Sequence, residues 1–142
     1  MESKRPLVGL GLLVVRGNKI LLGERISPHG FGEYGAPGGH LEYDESFEES
    51  IMRELEEEAG SSMQIKQLDY LCTTNLRRYM PKHYVDIGMV AVWKSGEPTV
   101  GEPHKLRSWG WYDIDTELPD KLFGCMDNYI EAYRTGKRYF TK

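Results

Sequence analysis

Two cysteines in 142 residues, Cys72 and Cys125, are too few and too far apart for a disulfide framework, and their spacing matches no metal site. A reducing setting, the cytoplasm, is the expectation that follows. Long apolar runs are also missing. The run from Leu7 to Val15 contains Gly9 and Gly11 and is too short to span a bilayer. Lys4-Arg5 ahead of it imitates the start of a secretory leader, but no small-residue cleavage site follows, so the run reads as a buried strand. There is no repeat, no low-complexity segment and no linker. One domain over residues 1–142 is expected, of a size that buries one core. A basic stripe of the kind that grips duplex nucleic acid is lacking as well.

What is present is acid, and it is unevenly spread. The net charge is −4. Residues 42–58 hold nine acidic residues and one basic residue, a local −8, which leaves 17 basic and 13 acidic residues elsewhere, or +4. Such a concentration suits a bound cation, and the mildly basic remainder can attract a polyphosphate.

The pattern along the chain predicts a mixed sheet with a helix on each side. Leu7 to Val15 and Ile20 to Gly23 read as strands joined by a turn at Arg16-Gly17-Asn18-Lys19. Pro28, Gly30 and Gly32 make residues 26–34 a loop. Further strands are expected at Leu68 to Thr73, Tyr84 to Trp93 and Trp109 to Tyr112, with a turn-rich loop from Ser95 to His104. After Pro119, Leu122, Phe123, Met126, Tyr129, Ile130 and Tyr133 recur at helical spacing.

The acidic segment itself predicts a helix. Ser46 followed by Glu49 is a capping-box pattern, so the helix should start near Phe47. Gly60 is placed to end it in a left-handed conformation. At about 100° per residue, Phe47, Ile51 and Leu55 form one apolar stripe. Glu58 projects nearly in line with Phe47 and Ile51, Glu54 and Glu57 lie beside it, and Glu49 and Glu56 face solvent. Three carboxylates one turn apart at the edge of a buried face repel one another. A hard divalent cation with oxygen ligands is the simplest compensation.

Gly39, Glu45, Arg53, Glu54, Leu55, Glu57, Glu58 and Gly60 stand at fixed intervals: Gly, five residues, Glu, seven residues, then Arg-Glu-aliphatic-X-Glu-Glu-X-Gly. This resembles the signature box of the Nudix hydrolases, which cleave diphosphate linkages with divalent metal. Gly9 to Val15, Leu21 to Arg25, Pro37 to Glu42, His83 to Val85 and Ser108 to Tyr112 are similar to the MutT-like branch, which acts on nucleoside triphosphates. The resemblance implies a Nudix-type α/β/α sandwich with a mixed sheet between helices. It implies magnesium or manganese as cofactor, and a small-molecule nucleotide, canonical or oxidised, cleaved to a monophosphate and pyrophosphate. Nucleotide sugars, dinucleotides and prenyl diphosphates are alternative substrates, and a non-catalytic nucleotide-binding module is a third possibility. Dimers are common in this family, so a homodimer is admitted. No membrane partner is expected.

The resemblance assigns roles residue by residue. Glu54, Glu57 and Glu58 match its metal and base positions, and the Gly38-Gly39 loop supplies a backbone carbonyl to the metal. Arg53 and Glu45 pair and orient the carboxylates. Some members recruit a further carboxylate from a distant loop, here Glu102, with Glu97 the less favoured choice. Arg25, Gly39, His40, Leu122 and Phe123 are candidates for holding the substrate, while Tyr84 and Trp109 are expected to pack in the sheet. The chain also departs from the pattern. Asp44 replaces a common glycine, Ser61 a usual aliphatic residue, and Gly35, Ala36 and Gly124 stand where relatives carry bulkier groups, so a roomier base pocket is expected.

Overall fold

Strand β1 (Leu7–Arg16) lies at the centre, and the layout follows from its composition. Side chains of alternate residues go to opposite faces of a sheet. Leu10, Leu12 and Val14 therefore enter one apolar layer, and Leu13 and Val15 the other. The computed structural model describes residues 4–142. It contains β2 (Lys19–Arg25), β3 (Tyr34–Gly35), β4 (Gly38–His40), α1 (Phe47–Ala59), β5 (Gln64–Leu76), β6 (Tyr84–Ser95), β7 (Leu106–Asp113), α2 (Met126–Thr135) and β8 (Tyr139–Thr141). The main path of the mixed sheet runs β3-β2-β1-β6-β5-β8, with β4 added to β1 and β7 to β2. β1 and β6 run parallel from Leu7↔Tyr84 to Val15↔Val92. Helix α1 covers one face over Ile51, Leu55 and Ala59, and α2 covers the other over Met126, Tyr129 and Ile130. This is the expected mixed sheet between helices.

The hairpin at Gly17 forms as read, with Val15 opposite Ile20 and Gly17 at a φ of 62°. Below it, β2 parts from β1. The freed edge of β1 pairs instead with β4, Gly9 facing His40 and Gly11 facing Gly38. The sheet is thereby forked, and the functional cleft lies in the fork.

Three local expectations are amended. The helical spacing after Pro119 overruns the helix, since α2 begins only at Met126 and Leu122 forms a bridge with Tyr34 instead. β5 runs well beyond Leu68–Thr73 because bulges, with Gln67 at a φ of 55°, let it follow the whole of β6. On α1, Phe47 is exposed and Ser50 takes its place in the buried stripe beside Ile51 and Leu55. Asp44 has a φ of 65°, the left-handed region in which glycine is unstrained and aspartate is among the few tolerated substitutes. Among the described residues, no helix is long and apolar enough to cross a membrane.

Candidate active site

Helix α1 starts as its sequence demands. Ser46 Oγ accepts from Glu49 N–H at 3.0 Å, and Glu49 Oε1 accepts from Ser46 N–H at 3.2 Å. At its other end Gly60 has a φ of 79°, but its ψ of −178° is extended rather than left-handed helical. The chain is thus sent away, to return under the helix end. There Gly101 N–H donates to Glu58 O at 2.9 Å, Thr99 N–H to Ala59 O at 2.8 Å and Trp109 Nε1–H to Glu58 O at 3.2 Å. These donors satisfy carbonyls that a helix terminus leaves orphaned. Gly101 is required there, because a Cβ would run into the Glu57 carbonyl oxygen. The same docking carries Glu102 to the end of α1.

Arg53 organises the acidic face. Its Nε donates to Glu45 Oε2 at 2.7 Å, its Nη2 to Glu45 Oε1 at 3.0 Å and to His40 O at 3.2 Å, and its Nη1 to Glu54 Oε1 at 2.9 Å. Glu57 lies 3.6 Å away. The fork geometry of a guanidinium allows these simultaneous bonds, which an ammonium cannot make. The bidentate pairing holds the Glu45 carboxyl down to about 2. Glu45 in turn accepts from Glu42 N–H at 2.8 Å, closing the turn before the helix.

Glu58 is the most enclosed carboxylate of the box. Gly38 N–H donates to its Oε2 at 2.9 Å. Burial, with the charges of Glu54 and Glu102 adding, nevertheless raises it to about 8. Burial raises Glu54 too, against the pull of Arg53. Glu57 stands further out, half exposed. The last turn of α1 has no basic residue, so these acids also face the negative end of the helix dipole. Lys105 is 3.6 Å from Glu102 and brings a positive charge to that side of Glu58.

A divalent cation fits this donor set by charge and by hardness. Among the described residues no three His, Cys, Asp or Glu side chains stand gathered tightly enough to hold an ion alone. That arrangement suits magnesium, which is commonly held by one or two carboxylates together with water and substrate phosphates.

Across the cleft stands an aromatic wall. Phe123 has the Arg25 guanidinium 3.7 Å from its ring centroid and Tyr79 beside it, nearly parallel at 5.8 Å. His29 meets both rings edge-on, at 4.7 Å from Tyr79 and 5.2 Å from Phe123. Arg25 is fixed from behind, donating from Nη2 to His29 O at 2.9 Å and to Ser27 Oγ at 3.1 Å, and burial lowers its pKa. His40 and Tyr84 form the opposite lip, with Nε2 and the hydroxyl 3.3 Å apart.

The cleft has a volume of about 580 Å³ and gathers Arg25, Gly38, Gly39, His40, Arg53, Glu54, Glu57, Glu58, Glu102 and Phe123. Glu45 stands behind it, bonded to Arg53. Leu122 is not brought to the cleft. It pairs with Tyr34 and packs on the α2-side core, because α2 begins after it. Glu97 is excluded from this site as well, since it bonds Arg16 and Trp111. Tyr84 stands in the sheet as expected and also lines the cleft, and a Cβ at Gly124 would meet nothing within 4 Å, so open space remains there.

Sequence reasoning missed Tyr79, His29, Lys105, Tyr129 and Asp86. Only Asp86 carried a signal, as the one charge inside the apolar run of β6. It lies on the cleft floor and accepts a hydrogen bond from the buried Tyr129 hydroxyl. Burial raises its carboxyl to about 6, against the opposing hydrogen bonds of Tyr129 and Cys125. The folded protein holds this proton more tightly than the unfolded chain does, so ionised Asp86 costs stability. That cost is full above about pH 6 and disappears as pH falls to the ordinary carboxylate range. Asp86→Asn should therefore be more stable than the wild type at pH 8, by up to about 3 kcal/mol, with a correspondingly higher Tm, and show almost no gain at pH 4. Melting curves at both values test this, and an equal shift at each contradicts it.

The whole chain can now be compared with known proteins. The NUDIX domain model matches residues 5–133. A MutT NUDIX hydrolase from Burkholderia pseudomallei superposes with a TM-score of 0.83 at 32% identity, over 91% of this chain and 98% of that one. The NAD-capped RNA hydrolase NudC of Haemophilus influenzae is 34% identical over 120 residues, 81% of this chain and 43% of its own length. An ADP-ribose pyrophosphatase of Methanocaldococcus jannaschii is 36% identical over 63 residues, covering 44% of this chain and 37% of its own length. The chain thus spans about two fifths of these two curated relatives. The chain belongs to the Nudix family, whose hydrolases generally use divalent metal.

Proposed function

We propose that this protein hydrolyses the diphosphate linkage of a nucleotide whose second phosphate carries a further group, a dinucleotide or similar derivative, and releases a nucleoside monophosphate. The carrying observation is the charge of the cleft. Arg53 is committed to carboxylates, which leaves Arg25 and Lys105 as the cations facing a substrate beside Glu54, Glu57, Glu58 and Glu102. A diphosphate bridged at both ends brings fewer negative charges into such a site than a triphosphate does. The names of the NudC and ADP-ribose pyrophosphatase relatives agree with this choice.

In the reaction a water oxygen bonds to one phosphorus while the bridging P–O bond breaks, and the leaving phosphate keeps its electron pair. Glu54, Glu57, Glu58 and Glu102, with a carbonyl of the Gly38-Gly39 loop, are the proposed metal-holding groups. Magnesium or manganese bound there supplies charge neutralisation and a more acidic water. A carboxylate of this cluster takes the proton from the attacking water. Arg53 and Glu45 keep Glu54 in place, and Arg25, Gly39 and His40 meet the substrate.

A nucleoside triphosphate is the second reading. It is favoured by the MutT-like resemblance and by the Burkholderia pseudomallei relative, which matches over nearly its full length. Incubation with magnesium or manganese, then mass analysis of products from NAD, ADP-ribose, nucleotide sugars and canonical and oxidised dNTPs, separates the two. Monophosphate from the dinucleotides is the expected result. Pyrophosphate from triphosphates alone selects the second reading, and no product from any of them overturns both.

A further inference from the structure

Asp86 has no part in the hydrolysis described above, yet the fold is shaped around it. Gly9 and Gly11 on β1 and Gly88 on β6 strip side chains from the sheet face beneath α2. Tyr129 descends into the cleared space, where a Cβ on Gly88 would come within 2.7 Å of its ring. Its hydroxyl thereby reaches one carboxylate oxygen of Asp86. The other oxygen, Oδ1, lies over Gly9, 3.4 Å from where a Cβ would stand. Among the described residues Asp86 makes no salt bridge, and the Cys125 thiol is its only other donor. A buried carboxylate without a cation, offered one strong donor, is costly. It keeps some accessible surface, and that surface faces the cleft.

We propose that Asp86, oriented by Tyr129, selects the substrate's heterocycle by accepting N–H donors from the edge of a planar ring seated in the cleft. This rests on the nucleotide-hydrolase reading and deepens it. The chemistry of Asp86 itself explains the choice of a donor edge. A carboxylate accepts only, so two adjacent N–H groups, as on guanine, or the NH2 of a ring carboxamide, satisfy it. A ring presenting a carbonyl or a carboxylate there is repelled. Tyr129 is a positioning residue, since its hydroxyl already donates to Asp86 and its ring is buried.

Binding of monophosphates, measured calorimetrically with magnesium present, tests this without needing turnover. Wild-type protein should bind GMP about ten- to a hundredfold more tightly than IMP, which lacks only the amino donor. Nicotinamide mononucleotide should likewise exceed nicotinic acid mononucleotide, in which the amide is replaced by a carboxylate. Discrimination in either pair supports the proposal and identifies which ring brings the donor edge. In Asp86→Asn the ratio should fall to within about twofold, because an amide both donates and accepts. Equal affinities within both wild-type pairs overturn the proposal with no variant involved, and so does a ratio that survives in Asp86→Asn. A purely structural Asp86 would alter all four affinities together and leave the ratios alone. Absence of turnover on every substrate, with the binding ratios intact, would sink the hydrolytic step and leave standing the nucleotide-binding site on which this proposal rests.

Discussion

Glu54→Gln should lower kcat by about three orders of magnitude, the equivalent of several kcal/mol of transition-state stabilisation, while the protein stays folded. The substitution keeps shape and keeps an oxygen that can accept from Arg53 Nη1, now 2.9 Å away. It removes a negative charge from a place where Glu57 and Glu102 already oppose one. The metal-free protein should therefore melt no lower than wild type. The rise in Tm that magnesium gives the wild type should shrink, because ligand-linked stabilisation follows affinity for the folded state. Turnover and melting with and without magnesium read all three. Near-full turnover would remove Glu54 from the mechanism, and an unchanged magnesium effect would remove it from the metal site.

Gly38→Ala and Gly39→Ala, adjacent and chemically identical changes, should fail in different ways. A Cβ on Gly38 would collide with the Leu10 carbonyl oxygen and lie 2.9 Å from Gly11 Cα. Both are backbone atoms of the central strand, so nothing nearby can rotate aside. The β1·β4 pairing must open, and the Gly38 N–H bond to Glu58 is lost with it. About 3 kcal/mol of stability should go, roughly 6–12 °C of Tm at this chain length, together with activity. A Cβ on Gly39 meets the Glu54 carboxylate instead, the mobile end of a side chain. That variant should keep most of its Tm and lose turnover because Glu54 is displaced. Similar melting points for the two would show that the fork at β1 tolerates a side chain at position 38.

The box was legible because its logic is local. Ser46, Glu49 and Gly60 bound a helix through contacts only a few residues apart, and 3.6-residue spacing puts Glu54, Glu57 and Glu58 along one side. The Arg53–Glu45 pair was reached through family likeness, and the two side chains lie 2.7 Å apart. Where periodicity was followed without regard to partners it misled. Leu122 and Phe123 carry helical spacing, yet both precede α2, and a strand contact to Tyr34 claims Leu122.

Glu102 and Glu97 mark the limit of a sequence reading. Both lie in a glycine- and proline-rich loop with no period, five residues apart. One reaches the cleft because Gly101 and Thr99 cap the end of α1, and the other turns to Arg16 and Trp111. The sequence alone determined the acidic helix and the central strands β1, β2 and β6, since these rest on spacing and on short-range hydrogen bonds, while the family was reached through likeness of the box. Tertiary structure alone decided that β2 parts from β1 to open a cleft, and that Tyr129, far along the chain, descends onto Asp86. Contacts between distant segments depend on which side chains are missing as much as on which are present, and the space left by Gly9, Gly11 and Gly88 has no meaning until the chain folds around it.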